Sequence, residues 1–396
     1  MLWTDKSTLL ITCPKGIVPY LAEELRELDF PGLSEMEAAV ETEGSLEDAM
    51  TLNLRLRTGH RVLFLVREFR AATPAEFYHQ IERLPWEQWI ASDGYLCVTS
   101  TADTPVINDT RFVNVKAKDA IVDHLRDRTG QRPDSGPERT GTVVHVYWKD
   151  DRVRVFFDTS GEPLSRRGYR KIPLQAPMQE TLAAGVILAT AWKGEGPFIN
   201  PMCGSGTLAI EAVMIALNRA PGILRSNFGF MHLKGYDPAV WRKNRLRARS
   251  LEKKGMAVPV IATDISAEAV RASQQNAQTA GVDHLITFRR CPFAATPVPE
   301  GQGIVILNPG YGERMGDVRE LVETYRGIGD YFKGQCKGYR GYIFTGNFDL
   351  AKKVGLRTAR RIPFFNSDIE CRLLEYELYA GSRKNAAQDQ GEPHGA

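Results

Sequence analysis

Apolar and polar positions along this chain follow two rhythms, one of period two and one of period three to four, and the switches between them mark strands and helices. A run centred on Leu9, Leu10 and Ile11 predicts a buried strand over residues 8–12, and Leu21, Leu25 and Leu28 predict a helix over 19–28. Ser45 followed by Asp48 makes a capping start for a second helix reaching residue 56, which leads into a strand over 61–66. Residues 1–65 thus read as an α+β unit. Strands rich in β-branched and aromatic residues follow at 95–100, 142–148 and 153–157. Between them a helix over 112–128 puts Ala117, Ile121 and Leu125 on one face, opposite Lys116, Asp119, Asp123 and Arg126. On this pattern the second unit spans residues 66–160. The stretch 161–173, with two glycines, two prolines and a knot of arginines, is linker-like, and a linker over 161–175 follows.

From residue 176 to 381 helix and strand alternate. The pattern gives a helix at 179–192, a strand at 198–200, a glycine turn, a helix at 208–220, a strand at 258–263, a helix at 267–280 and a strand at 304–307. Late strands at 341–345 and 372–379 complete it, and such alternation marks a doubly wound α/β sheet. Residues 382–396, polar and small, have nothing to bury and are expected to be a disordered tail.

Composition agrees with this division. A chain of 396 residues exceeds what one core organises, and 43% hydrophobic with 25% charged residues excludes a disordered or fibrous class. Six scattered cysteines contain no C-x-x-C pair, so no metal cluster or disulfide framework is expected and a reducing cytoplasm is the simplest setting. No apolar run approaches the roughly 20 residues that span a bilayer. The net charge of +3 announces no polyanion partner, so any such partner has to be read from local charge.

Three motifs carry candidate chemistry. Asn200-Pro-Met-Cys-Gly-Ser-Gly-Thr207 lies between an apolar strand and an apolar helix, where glycines let the backbone approach a ligand. It lacks the Gly-Lys-Ser/Thr ending of a phosphate-binding loop. Asp264, followed by Ile265, ends the next strand, where doubly wound folds hold a ribose; an ordinary helix cap is the alternative. Asn308-Pro-Gly-Tyr311 ends the strand after that. There a side-chain amide with the Pro309 carbonyl can accept two hydrogen bonds from a planar amine, and Tyr311 can stack on a base.

These residues, with others, resemble a known family, the THUMP-domain class I RNA methyltransferases, in particular bacterial enzymes acting on the 2-amino group of guanine in large-subunit ribosomal RNA. The resemblance covers nearly all of residues 7–381. It includes Thr12-Cys-Pro-Lys-Gly16, Asn53-Leu-Arg-Leu-Arg57, Val115-Lys-Ala-Lys-Asp-Ala-Ile-Val122, Asp158-Thr-Ser-Gly161, Arg167-Gly-Tyr-Arg170, Arg219-Ala-Pro-Gly222 and Tyr311-Gly-Glu-Arg314. It implies a ferredoxin-like domain, a THUMP RNA-binding domain and a Rossmann-like seven-stranded methyltransferase domain. It also implies S-adenosylmethionine as cofactor, held by Asn200, Met202, Cys203, Gly204, Ser205, Gly206, Thr207, Asp264 and Ile265, with Asn308, Pro309, Gly310 and Tyr311 at the reacting amine. The chain departs from the family at Asn200, where Asp is usual, at Pro292, near which an acid is usual, and at Gly310, where a second proline is usual.

The implied partner is RNA, ribosomal before transfer RNA. An insertion at residues 219–257 carries ten basic residues against two acidic ones, a net +8, interleaved with Phe228, Phe230, Tyr236 and Trp241. Such aromatics can be platforms for unpaired bases, or can dock on the protein while the charges stay solvated. Arg245, Arg247 and Arg249 are its candidate phosphate contacts, and Arg111, Lys116, Lys118, Arg132, Arg166, Arg167 and Arg170 form a second basic set. A non-catalytic RNA-binding factor and a methyltransferase acting on the 6-amino group of adenine are the competing readings.

Overall fold

In the helix Leu46–Arg55 the Ser45 hydroxyl accepts the backbone N–H of Asp48 while the Asp48 carboxylate accepts that of Ser45, the reciprocal cap expected from the sequence. The structure, a computed structural model, describes residues 2–107, 109–174, 177–310 and 318–379; Tyr311, Gln175, Ala176 and the expected tail at 382–396 lie outside the described residues. Contacts divide the chain into two units, Met1–Arg167 with Ala220–Glu252, and Gly168–Arg219 with Lys253–Ala396.

The first unit is built on one sheet of eight strands, β1 (Ser7–Thr12), β2 (Ser34–Glu35), β3 (Ala39–Gly44), β4 (Arg61–Arg70), β5 (Tyr95–Asp103), β6 (Asp134–Ser135), β7 (Thr142–Lys149) and β8 (Arg152–Asp158), in the order β2-β3-β1-β4-β8-β7-β5-β6. β4 pairs antiparallel with both β1 and β8, so the two α+β segments read from the sequence share a continuous sheet. The helix Thr110–Thr129 buries Ala117, Ile121 and Leu125 as its periodicity predicts.

The insertion at Ala220–Glu252 belongs to this first unit, although it interrupts the sequence of the second. Thr142 of β7 donates to the His232 carbonyl at 3.0 Å, Leu233 bridges to Ile90, and Arg225 donates to the carbonyls of Ser160, Glu162 and Pro163. Phe228, Phe230 and Trp241 pack on one another at ring separations of 5.2–5.3 Å and are almost fully buried. These three rings are therefore core, not platforms for bases, because burying them offsets the cost of ordering a long excursion.

The second unit carries the expected seven-stranded sheet. Its strands are β9 (Phe198–Pro201), β10 (Val260–Asp264), β11 (Ile286–Arg290), β12 (Ile304–Leu307), β13 (Arg340–Thr345), β14 (Arg360–Asn366) and β15 (Ile369–Glu377), in the order β11-β10-β9-β12-β13-β15-β14. β9 pairs parallel with both β10 and β12, and β15 runs antiparallel between β13 and β14. The order reverses beside β9, which leaves a crevice at the carboxyl ends of β9, β10 and β12. Ile199, Val305, Leu307 and Ile343 of the central strands are fully buried, and the helix Val318–Gly334 covers them with Tyr325, Ile328 and Phe332.

Candidate active site

All three motifs read from the sequence end at the carboxyl edge of adjacent strands in the second unit. After β9 the chain turns through three left-handed residues, Met202 (φ 56°), Gly204 (φ 54°) and Gly206 (φ 84°), before the helix Thr207–Ala216 begins. Met202 pays a conformational cost there that a glycine would avoid, and such outliers persist where a surrounding structure fixes them. A Cβ at Gly206 would lie 2.7 Å from that of Ser273, whereas one at Gly204 would meet nothing within 4 Å. Gly206 is thus required by packing, and Gly204 leaves open space over the turn.

Asn200 is fully buried, and its amide nitrogen donates to the Ile306 carbonyl at 3.0 Å, tying β9 to β12. Its amide oxygen has no hydrogen-bond partner among the described residues. An Asp at this position would lose the donor to Ile306, so the departure from the family is matched by a strand-to-strand bond. The Cys203 thiol is pushed up to about 12, by burial first and then by the nearby Asp264 carboxylate, so it stays protonated and serves as packing.

Asp264 holds the turn from the neighbouring strand. One carboxylate oxygen accepts the Gly204 N–H at 3.0 Å and the other accepts the Ser266 N–H at 2.9 Å. The cap of the helix Ala267–Ala280 is Ser266, so the cap considered for Asp264 falls to its neighbour two residues on. A carboxylate has about four lone-pair sites, so two remain on Asp264. Beside it Ile265 is 67% exposed, an apolar side chain left open to solvent. Pro292 is exposed and begins the short turn Phe293–Ala295 without a side-chain hydrogen bond.

At the end of β12, Asn308 is half-buried, and its amide oxygen is shielded from solvent without a hydrogen-bond partner among the described residues. Pro309 is buried, and the carbonyl of Gly310 faces the Tyr325 hydroxyl at 3.5 Å. That hydroxyl also meets Thr345 Oγ1 at 2.7 Å, and burial pushes the phenol up to about 12, so it remains a donor.

Several bracing roles escaped the sequence reading, including that of Arg170, which it placed among RNA contacts. Asn276, fully buried, donates to the Ser205 carbonyl at 3.1 Å and accepts the Lys171 N–H at 2.8 Å. Arg170 bonds Glu180 at 2.9 Å, the Met178 carbonyl at 2.7 Å and Thr207 Oγ1 at 3.2 Å, leaving its buried Nη1 without a partner among the described residues. Buried Glu211 accepts the Tyr169 hydroxyl at 3.0 Å. The available signal was an acid inside each of two otherwise apolar helices, Glu180–Ala189 and Thr207–Ala216, since a buried carboxylate demands a partner.

The basic set separates into three groups. Arg167 is 1% exposed and donates to the Leu164 carbonyl at 2.8 Å, and Arg170 braces the glycine turn; neither presents a charge as the sequence reading expected. Arg111 pairs with Asp109, Lys118 with Asp119 and Arg166 with Glu162, while Lys116 lies over the rings of Tyr78 and Phe112. Arg132, Arg247 and Arg249 are exposed, and Arg245 is half-buried with a bond to the Ile223 carbonyl at 3.0 Å.

Comparison with known proteins divides the chain into three successive segments, the last of which runs through the insertion at Ala220–Glu252. A ferredoxin-like domain described as that of RlmL matches residues 8–63, a THUMP domain matches 71–158, and an RMKL-like methyltransferase domain matches 167–375. The ribosomal RNA large subunit methyltransferase K/L of Syntrophotalea carbinolica is 37% identical over 377 residues, covering 93% of this chain and 53% of that protein. The chain therefore spans about half the length of that relative. A putative RNA methyltransferase of Synechocystis is 32% identical, covering 93% of this chain and 96% of its own length. A putative methyltransferase solved in complex with SAH superimposes with a TM-score of 0.85 at 27% identity, covering 95% of this chain and 99% of that one. With its seven-stranded sheet, glycine turn and Asn308 motif, the chain belongs to the RMKL-like methyltransferase family.

Proposed function

We propose that this chain transfers a methyl group from S-adenosylmethionine to the 2-amino group of a guanine in RNA, with large-subunit ribosomal RNA as substrate, in the cytoplasm. The observation that carries the reading is the amide oxygen of Asn308, without a partner among the described residues and held at the carboxyl end of β12 beside the strand that bears the glycine turn. A shielded acceptor left without a donor costs about 1–3 kcal/mol, which a planar amine brought by the substrate would offset. With the Pro309 carbonyl as second acceptor, both amine hydrogens are held, and the nitrogen lone pair is aimed rather than spread over the ring. Alignment of that kind is what this reaction needs from a protein. Tyr311 would cover the base by stacking.

The residues present fit the cofactor. The open space at Gly204, the two spare lone-pair sites of Asp264, the exposed Ile265 and the buried Nη1 of Arg170 suit its main chain approach, ribose, adenine and carboxylate in turn. When bound, it would supply a methyl carbon on a sulfonium to the amine that Asn308 and the Pro309 carbonyl orient, with the thioether S-adenosylhomocysteine as leaving group and the surplus proton of the nitrogen passing to solvent. Asn200 and Asn276 act as positioning residues, one from beneath the turn and one across it. The exposed cations of the first unit, Arg132, Arg247 and Arg249 with the more engaged Arg111, Lys116, Lys118, Arg166 and Arg245, would hold the RNA.

The Asn308→Ala variant tests this reading. Single-turnover methyl transfer should fall by about a hundredfold or more, with RNA and cofactor affinity within about twofold of the parent, since alignment and not binding is lost. An unchanged rate would remove Asn308 from the reaction.

A further inference from the structure

On the second unit, away from the three motifs, a groove of about 770 Å³ opens against the edge strand β14. Five of its lining residues are cations, Lys352, Arg357, Arg360, Arg361 and Arg372, and none is an acid. Three of the five have carboxylate partners just outside the groove: Lys352 with Asp349, Arg360 with Glu375, and Arg372 with Glu370. Arg357 and Arg361 are exposed and have no carboxylate partner among the described residues. The Arg372 guanidinium lies over the Phe348 ring at one end, 4.1 Å from its centroid, and Leu356 and Leu374 add apolar lining.

We infer that this groove binds a single-stranded segment of the RNA substrate, with Arg357 and Arg361 on phosphates and Phe348 with Arg372 as the platform for a base. Arginines on an edge strand also deter pairing with other chains, but that role needs neither a groove nor an aromatic partner. Flat cation and ring together are what unpaired bases stack upon, and phosphates select for guanidinium. The groove is also tied to the candidate site. Phe348 begins the helix Phe348–Ala351 just after β13; Asn347 caps that helix and donates its N–H to Thr345 Oγ1, and Thr345 meets the Tyr325 hydroxyl that faces Gly310. A strand seated there lies on the same sheet as the Asn308 loop, with β13 and β15 between β14 and β12, and on a separate element from the insertion.

This inference rests on the proposed RNA substrate, and binding tests it without methyl transfer. The probe is a fluorescent single-stranded 16-nucleotide RNA titrated with the full chain over a range of salt. Arg357→Glu with Arg361→Glu should weaken binding about tenfold or more at physiological salt and lower the salt slope by about 1.4, the loss of two phosphate contacts. Arg357→Lys with Arg361→Lys should keep the slope. Phe348→Leu should weaken binding about threefold to tenfold and leave the slope unchanged, since stacking releases no counterions. Parent-like affinity and slope in the double Glu variant would overturn the groove as an RNA site. A parent that binds this RNA through the groove but methylates none would contradict the proposed reaction alone.

Discussion

Two glycines on either side of Ser205 do different work in the turn after β9. Gly204 has open space above it, so a methyl group there costs about 1–2 kcal/mol for its left-handed backbone and little more, but it fills the approach that a ligand needs. Gly206 has the same backbone requirement and in addition a Cβ position 2.7 Å from Ser273. Gly204→Ala is therefore expected to fold with a melting temperature within a few degrees of the parent and to lose at least about tenfold in calorimetric affinity for S-adenosylhomocysteine. Gly206→Ala should melt markedly lower. If Gly204→Ala bound the ligand as the parent does, the turn would not be the cofactor site. These glycines, Asp264 and Asn308 were legible because each sits in a local pattern of strand followed by turn. Their supports were not: Arg170 meets Thr207 across 37 positions and Asn276 meets Ser205 across 71, and a single sequence carries no record of such pairings. At Asn200 the sequence showed the departure from the family, and only the fold supplied the Ile306 carbonyl that its amide serves.

Among the elements, those with strong periodicity fell where expected: the helix Ala267–Ala280 and the strand β12 match the expectation residue for residue. The helix Val318–Gly334 was not read from the sequence. It carries Gly327 and Gly329, poor helix formers, and Gly329 is there because any Cβ would strike the Val354 carbonyl. The edge strands β11 and β14 were missed because their exposed faces carry arginines where a buried strand would alternate. Strands β4 and β7 hold a titration that the sequence does not announce. His60, just before β4, and His145 in β7 are each pulled down to about 4, mainly by burial, with Arg61 and Arg139 near both and Arg167 also near His60. A histidine kept neutral contributes stability that is full above the unfolded value near 6.5 and is lost as pH falls toward 4, because the unfolded chain takes up protons that the native one refuses. The buried acids Asp158 and Glu24 are shifted upward by burial and act with the opposite sign. The difference between parent and variant isolates the histidines: near pH 5 the parent should take up about two more protons on unfolding than His60→Gln with His145→Gln. Urea unfolding across pH 4.5–7.5 measures this as a steeper loss of stability in the parent, and parallel curves would contradict it.

At the scale of the molecule, the division of the chain was only partly legible. The boundary near residue 167 shows in the knot of glycine, proline and arginine, but the insertion at Ala220–Glu252 was assigned to the catalytic half by its place in the sequence. The methyltransferase family match also runs through it, while by contacts it groups with the first unit, where Phe228, Phe230 and Trp241 are buried. Arg242, Lys243, Arg247 and Arg249 stay exposed on the helix Pro238–Ser250, beside an exposed Leu246, so one excursion from the methyltransferase domain both completes the other unit and adds charge to it.

The central claim is that this chain places a methyl group on the 2-amino group of guanine in RNA. Its most direct test is to incubate the purified full chain with ribosomal RNA and S-adenosylmethionine carrying a trideuterated methyl group, digest the RNA to nucleosides and separate them by liquid chromatography with mass detection. The account predicts N2-methylguanosine carrying three deuterium atoms with the parent, and none above background with Asn308→Ala. Label in N6-methyladenosine instead, or in no nucleoside at all, would contradict it.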